Sequence, residues 1–251
     1  PAGTGAGAAA GPGSGPGSGP GSGPGSGAIH DIGYRHYDGP RLGASYIRRS
    51  LFVETLRGAY GFGRSARSKI VPLTLLAMMV LPAAVMGIVT GYFQMPELPL
   101  GYTAYVLNLQ VAVTIFVAAQ SPAVMSRDLR FRVAPLYFSR PLTRQQYVQA
   151  KFAGMALALF VLMALPLTVL LAGALLAELP VGDQVPDYLR GLAGAALYAL
   201  VLTGIGLFVA AMTPRRGIGV AAVVGVLLVL SGLQAMVMAM AGELGSDTFT
   251  G

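Results

Sequence analysis

Five stretches of this chain run for more than twenty residues without a single Asp, Glu, Lys, Arg or His: Ile70–Phe93, Tyr102–Met125, Phe152–Ala177, Leu192–Met212 and Ile218–Met240. A bilayer's hydrocarbon layer is about 30 Å thick and a helix rises 1.5 Å per residue, so about 20 apolar residues make one crossing. Each stretch meets that length, and the spacing predicts an all-α, polytopic transmembrane bundle with five spans. Composition agrees: 54% of residues are hydrophobic and only 11% are charged, against roughly 25% charged in a soluble domain. So little polar surface excludes a soluble signalling domain.

The cations assign the sides of the membrane. Lys and Arg resist translocation and gather on the cytoplasmic face. Arg35, Arg41, Arg48, Arg49, Arg57, Arg64, Arg67 and Lys69 precede the first stretch. Arg127, Arg130, Arg132, Arg140, Arg144 and Lys151 lie between the second and third, and Arg215 and Arg216 between the fourth and fifth. The other connections carry Glu97, Glu178, Asp183 and Asp187 with the lone cation Arg190. Sixteen cations on one side against one on the other place the N-terminus in the cytoplasm and Gly251 outside. Merging or splitting any span would strand a basic loop on the wrong side.

Three segments follow. Residues 1–28 are rich in Gly, Pro and Ser, with a Gly-Pro-Gly-Ser repeat of period four over Gly11–Gly27. Collagen needs glycine at every third position, and nothing here is apolar enough to bury, so a disordered tail is expected. Residues 29–69 form a cytoplasmic segment, and residues 70–251 the transmembrane domain with a cytoplasmic loop at 126–151. Because the chain opens on Pro1 rather than Met, inside a low-complexity stretch, it is expected to be part of a longer protein.

Several chemistries are excluded. There is no cysteine, hence no disulfide scaffold, thiolate metal site or cysteine nucleophile. His30 and His36 stand six apart beside Asp31 and Asp38, a spacing that suits no known metal site, so no metal is expected. No GxxxxGK[ST] loop occurs, and the chain should not hydrolyse nucleotide by itself. The basic residues flank apolar runs instead of forming one groove, which argues against nucleic acid. No ionisable group lies at membrane depth, where an intramembrane enzyme or proton-coupled carrier would need one. The chain is expected to be no enzyme.

The polar residues within the spans are few. Asn108, Gln110, Thr114 and Gln120 share one stretch, where they could line a substrate path or hydrogen-bond neighbouring helices; the residues leave both open. Ser121, Thr203, Ser231 and Gln234 are further polar positions. Gly87 and Gly91 form a GxxxG pair, expected to serve packing within the bundle more than a dimer seam. Pro82, Pro122 and Pro166 each remove a backbone donor and allow a kink.

Two basic segments also carry apolar side chains. Tyr46–Lys69 alternates Tyr46, Ile47, Leu51, Phe52, Leu56, Tyr60 and Phe62 with arginines, as suits an amphipathic helix at a membrane interface. The loop reads SRDLRFRVAPLYFSRPLTRQQYVQAK, with aromatic residues amid the charge.

That wording, SRDLR and LYFSRPLTRQQYVQAK, resembles the ABC-2 type permease family, the membrane subunits of bacterial ABC exporters. HDIGYRHYDGPRLG is similar to the N-terminal region of permeases in the same group. The resemblance covers about Ile29 to the end. It implies a permease that pairs with a second copy or a relative in a bacterial plasma membrane, exporting a substrate with energy from separate ABC ATPase subunits. ATP and magnesium would be held by those subunits, with no cofactor on this chain. It also implies a short coupling helix between the second and third spans. Carried onto this sequence, Arg127, Asp128, Leu129 and Arg130 would contact the ATPase, while Tyr137, Phe138, Ser139, Arg140 and Pro141 would set the turn back into the third span. Tyr46–Lys69 would match the family's interfacial connecting helix. Such permeases usually have six spans with both termini inside, so a sixth span is expected to be missing here. An ATP-independent channel or a membrane scaffold is the alternative from another class.

Overall fold

The computed structural model describes residues 39, 43–63, 66–130, 143–213 and 216–247, with the backbone alone for 126–130, 216, 238–239 and 241–247. The tail expected over 1–28 lies outside the described residues. Seven helices and no strand occur among those described: α1 (Ala44–Ala59), α2 (Ala66–Tyr92), α3 (Tyr102–Asn108), α4 (Gln110–Arg130), α5 (Arg144–Leu176), α6 (Val181–Met212) and α7 (Arg216–Asp247). Helix 2 and helices α5 to α7 are each long and apolar enough to cross a membrane; α3 and α4 make a fifth crossing when taken as one bent span.

The expected helical polytopic bundle is therefore present, with three local differences. The second span is broken at Leu109, where the two pieces meet at 58°. No proline sits at that break. Instead the Asn108 side chain donates Nδ2 to the Ala104 carbonyl at 2.8 Å, and Ala112 N bonds back only three residues, to Leu109 O at 3.0 Å. A side-chain amide that competes for helical carbonyls, followed by a tightened turn, explains the bend. Meanwhile α2 runs on through Pro72 and Pro82 and α5 through Pro166. Second, the connection before Leu192 is largely helical: α6 begins at Val181, with Pro186 two turns into it and Asp183 in the first turn, where negative charge suits the helix dipole. Third, the amphipathic stretch Tyr46–Lys69 is divided. Helix α1 stops at Ala59, and the chain turns through Gly61 (φ 72°) and Gly63 (φ 83°) before α2. An added Cβ on Gly61 would sit 2.6 Å from the Ser68 carbonyl oxygen, so this tight turn needs glycine twice over.

Helix α5 is the axis of the bundle. Half of its most apolar window is buried, against 11% for α7 at the periphery. Met155, Leu159, Leu162, Met163, Leu167 and Leu170 are fully enclosed. The outer surface is apolar as well, with Leu81, Ile88, Leu197, Phe208 and Leu228 each more than 60% exposed. A soluble monomer does not tolerate such a belt, whereas lipid solvates it.

Small residues set the spacing between helices. A Cβ placed on Gly87 would lie 2.6 Å from the Gly173 Cα, and one on Gly173 equally close to the Gly87 Cα, so the backbones of α2 and α5 touch there. One turn on, Gly91 faces Ala177 at an ordinary 3.5 Å. The GxxxG pair thus packs inside the chain, as expected. Gly191 faces Tyr102, Gly206 faces Val117 and Ser121, and Gly219 faces Pro122. These contacts run α2 parallel to α5 and α4 parallel to α6, while Lys151 beside Val124 runs α4 against α5. Successive spans alternate in direction, as a five-span chain with short connections requires.

Two tyrosines close the packing by bonding across helices. Tyr105 donates its hydroxyl to the Met79 carbonyl, and Tyr102 donates to Gln184 Oε1 at 2.9 Å while its ring meets Tyr188 edge-on at 5.8 Å. Replacing Gly87 or Gly173 with Leu is expected to destabilise the purified protein by about 3 kcal/mol, because backbone cannot yield as a side chain can. Gly91→Ala should cost less than about 1 kcal/mol, and thermal unfolding in detergent measures both.

Candidate functional site

The basic end of the bundle is where α4 stops and α5 starts, and three helices converge on it. Helix α4 continues to Arg130, five residues past the end of its apolar run. Helix α5 is started by a capping box: Gln146 N donates to Thr143 Oγ1 at 3.3 Å, and Thr143 N donates to Gln146 Oε1 at 3.2 Å. Thr and Gln three apart satisfy two amides that a helix start otherwise leaves unpaired.

Lys151 ties the two together. It is only 7% exposed, donates Nζ to the Val124 carbonyl at 3.3 Å, and sits 5.8 Å above the Tyr147 ring. A buried ammonium is stable only with such partners. Beside it, Leu51 of α1 packs with Tyr147 and Ala150 of α5, and Ile47, Phe52 and Met125 border the cluster.

Helix α1 lies lengthwise along the start of α5, parallel to it. Leu51 meets Tyr147 and Ala150, Thr55 and the Phe52 carbonyl meet Gly154, and Tyr60 meets Ala158. The last contact is a hydrogen bond, Tyr60 Oη donating to the Ala158 carbonyl at 2.7 Å, with the ring 5.8 Å from Phe116 of α4. Burial pushes the Tyr60 phenol well above the ordinary tyrosine range, so it stays a neutral donor at physiological pH. Thr55 turns its own hydroxyl back to the Leu51 carbonyl at 2.7 Å, which leaves its methyl for Gly154. Movement of α1, of the end of α4 or of the start of α5 is thus mechanically shared.

The sequence-predicted residues fall in three groups. Arg127, Asp128, Leu129 and Arg130 occupy the final turns of α4. Tyr137, Phe138, Ser139, Arg140 and Pro141 lie outside the described residues. Asn108, Gln110, Thr114 and Gln120 are described, but they do not form one cluster. Asn108 is exposed and satisfied within α3, Gln110 and Thr114 are half-buried one turn apart on α4, and Gln120 is buried near the opposite end. Ten residues of helix turn Gln120 roughly 80° away from Gln110.

A second feature was not assigned from the sequence. Ser121 Oγ and Thr203 Oγ1 are fully enclosed, and neither has a hydrogen-bond partner among the described residues. Ser121 faces Gly206, where an added Cβ would come within 2.5 Å of Oγ. The seam between α4 and α6 is therefore closed so tightly that it leaves hydroxyls unpaired. Both residues stood out as polar positions within apolar runs, but only the packing reveals their isolation. Lys151 was legible as an orientation-setting cation, not as a buried strut.

A comparison with protein families bears on this arrangement. Residues 134–249 match the family model described as ABC-2 family transporter protein. The matched stretch takes in α5, α6 and the described length of α7, together with Lys151 and the capping box. No curated protein and no solved structure matches the chain. The apolar helices indicate a membrane protein with several spans, and the ABC-2 match over this stretch supports a membrane transport permease. The ABC-2 match starts after Arg130, so the end of α4 enters the site through its contacts with α5.

If the seam hydroxyls are as isolated as the packing indicates, Ser121→Ala and Thr203→Val should each raise the unfolding free energy by about 1 kcal/mol, because each removes an unsatisfied buried donor. Thermal unfolding in detergent reads this directly. A fall in stability would mean that the hydroxyls are bonded.

Proposed function

We propose that this protein is the non-catalytic membrane subunit of an ATP-driven exporter in a bacterial plasma membrane. The observation that carries this reading is the ABC-2 match over residues 134–249. Three further features support it. The apolar runs contain no ionisable residue, as suits a carrier driven from outside its own spans. No GxxxxGK[ST] loop is present, so hydrolysis would fall to a partner that holds ATP and magnesium. And at the basic end α4 runs on through Arg127 to Arg130 and is joined at Val124, through Lys151, to the central helix α5.

In this account the basic end is cytoplasmic and meets an ABC ATPase. Arg127, Asp128, Leu129 and Arg130 supply contacts, with Tyr137, Phe138, Ser139, Arg140 and Pro141 turning the chain back. When the ATPases close, they displace the end of α4. Because Lys151 binds the α4 backbone and Tyr60 bridges α1, α4 and α5, that displacement passes to α5 and so to α2, which touches it at Gly87 and Gly173. A second copy or a relative completes the pathway, and the α4–α6 seam is where this chain would yield. Asn108, Gln110, Thr114 and Gln120 are the polar groups offered to cargo; their dispersal favours an apolar or amphipathic one.

The test is capture from the native membrane. Tagged wild-type protein should retain a subunit that carries GxxxxGK[ST] and hydrolyses ATP. Asp128→Ala and Arg130→Ala, with membrane insertion intact, should each weaken that retention by about tenfold, the usual weight of a truncated interfacial charge. Failure of wild type to retain any nucleotide-binding subunit would contradict the proposal.

A further inference from the structure

We propose that the groove between α1 and the start of α5 is a binding site for the phosphate headgroup of an anionic lipid. Ser45, Arg48, Arg49 and Phe52 line one wall, and Gln146 and Gln149 the other, around an open space of about 310 Å³. The spacing is that of helix faces: positions i, i+3, i+4 and i+7 of α1 stand opposite i and i+3 of α5. Ala150 also lines the space, and its packing with Leu51 and Tyr147 holds the two helices together.

The chemistry is that of a phosphate site. Two guanidiniums present forked donors that match phosphate oxygens, while two carboxamides and a hydroxyl add neutral donors. Among the described residues, no carboxylate lies within ion-pair distance of Arg48 or Arg49. Both arginines are exposed and so accessible to a ligand. Glu54, the acid of α1, falls on another side of the helix, about 120° from Arg48.

The surroundings select a lipid over a free anion. Tyr46 and Val53, three and four positions from Arg49 on the same helix, are 55% and 37% exposed, a combination of apolar surface and guanidinium that suits the boundary between headgroups and acyl chains. The apolar run of α5 opens at Phe152, one turn beyond the Gln149 wall. A headgroup held here would place its acyl chains along α5. It would also pin α1 against α5 and make their shared movement sensitive to the lipid present. This site does not depend on the exporter reading or on any ATPase.

The test uses the full chain purified in detergent and titrated with dioleoyl phosphatidic acid, with dioleoyl phosphatidylcholine as control. Binding is read by native mass spectrometry and by the shift of each variant's thermal unfolding from its own lipid-free baseline. Because Arg48 and Arg49 are exposed, the Arg48→Ala/Arg49→Ala variant should fold as wild type. Its affinity for phosphatidic acid should fall at least about tenfold, as the loss of charge-assisted hydrogen bonds implies. Gln149→Leu should weaken binding by roughly threefold from the other wall, and Arg57→Ala, which removes one charge from α1 outside the groove, by less than about twofold. The proposal is overturned if Arg57→Ala costs as much as the double variant, which would mean unspecific surface charge. It is overturned equally if phosphatidylcholine binds as well, or if glycerol 3-phosphate protects at the same concentration, which would mean a free-anion site.

Discussion

Helices in a bilayer gain little by exchanging lipid tails for one another's apolar side chains, so the bundle depends on how closely its backbones can approach. The contact between Gly87 and Gly173 is the strongest instance, with the helical backbones touching and no side chain between them. Gly154 repeats the device for α1, Gly191 for α3 and Gly206 for α4. Each approach lengthens the line along which dispersion acts, and each places a particular pair of helices in fixed register. Helix α5 takes part in two of these contacts and is the most buried span, so the rest of the molecule is arranged around it.

The basic end follows from that arrangement. A central helix must emerge somewhere, and where α5 does so its first turns are gripped from two sides, by α1 through Leu51 and Tyr60 and by α4 through the Lys151 bond to Val124. Lys151 is costly to bury and would be displaced were its partners absent. Its position therefore converts three helices into one mechanical unit below a bundle that is otherwise apolar. The groove proposed for a lipid phosphate lies within the same unit, so headgroup, helix terminus and central span share a few turns of helix.

Much of this was legible in the sequence because the bilayer imposes a simple requirement. A run of more than twenty residues without charge has few alternatives to a crossing, and the cation distribution gave the count of five a second, independent check. The break at Leu109 was not legible, since Asn108 in an apolar run reads equally well as a lining residue and as a helix-disturbing amide; only the bond to Ala104 decides it. The helical start of α6 was hidden by its acidic residues, which resemble a loop in composition yet stabilise a helix N-terminus. The division of Tyr46–Lys69 rested on Gly61 and Gly63, two glycines whose left-handed backbone periodicity does not register. Of the candidate site, the residue types at the end of α4 were visible, but the tie through Lys151 depends on a contact 27 positions away that no local pattern encodes.

The parallel seating of α1 on α5 is the claim on which the mechanical unit and the lipid groove both depend. Because the chain has no cysteine of its own, an introduced pair reports on this seating without interference. Oxidation of the L51C/A150C variant in native membranes should produce an intramolecular disulfide, seen as a reducible change in electrophoretic mobility, while L51C/A158C should not. A disulfide in the second variant and none in the first would contradict the account.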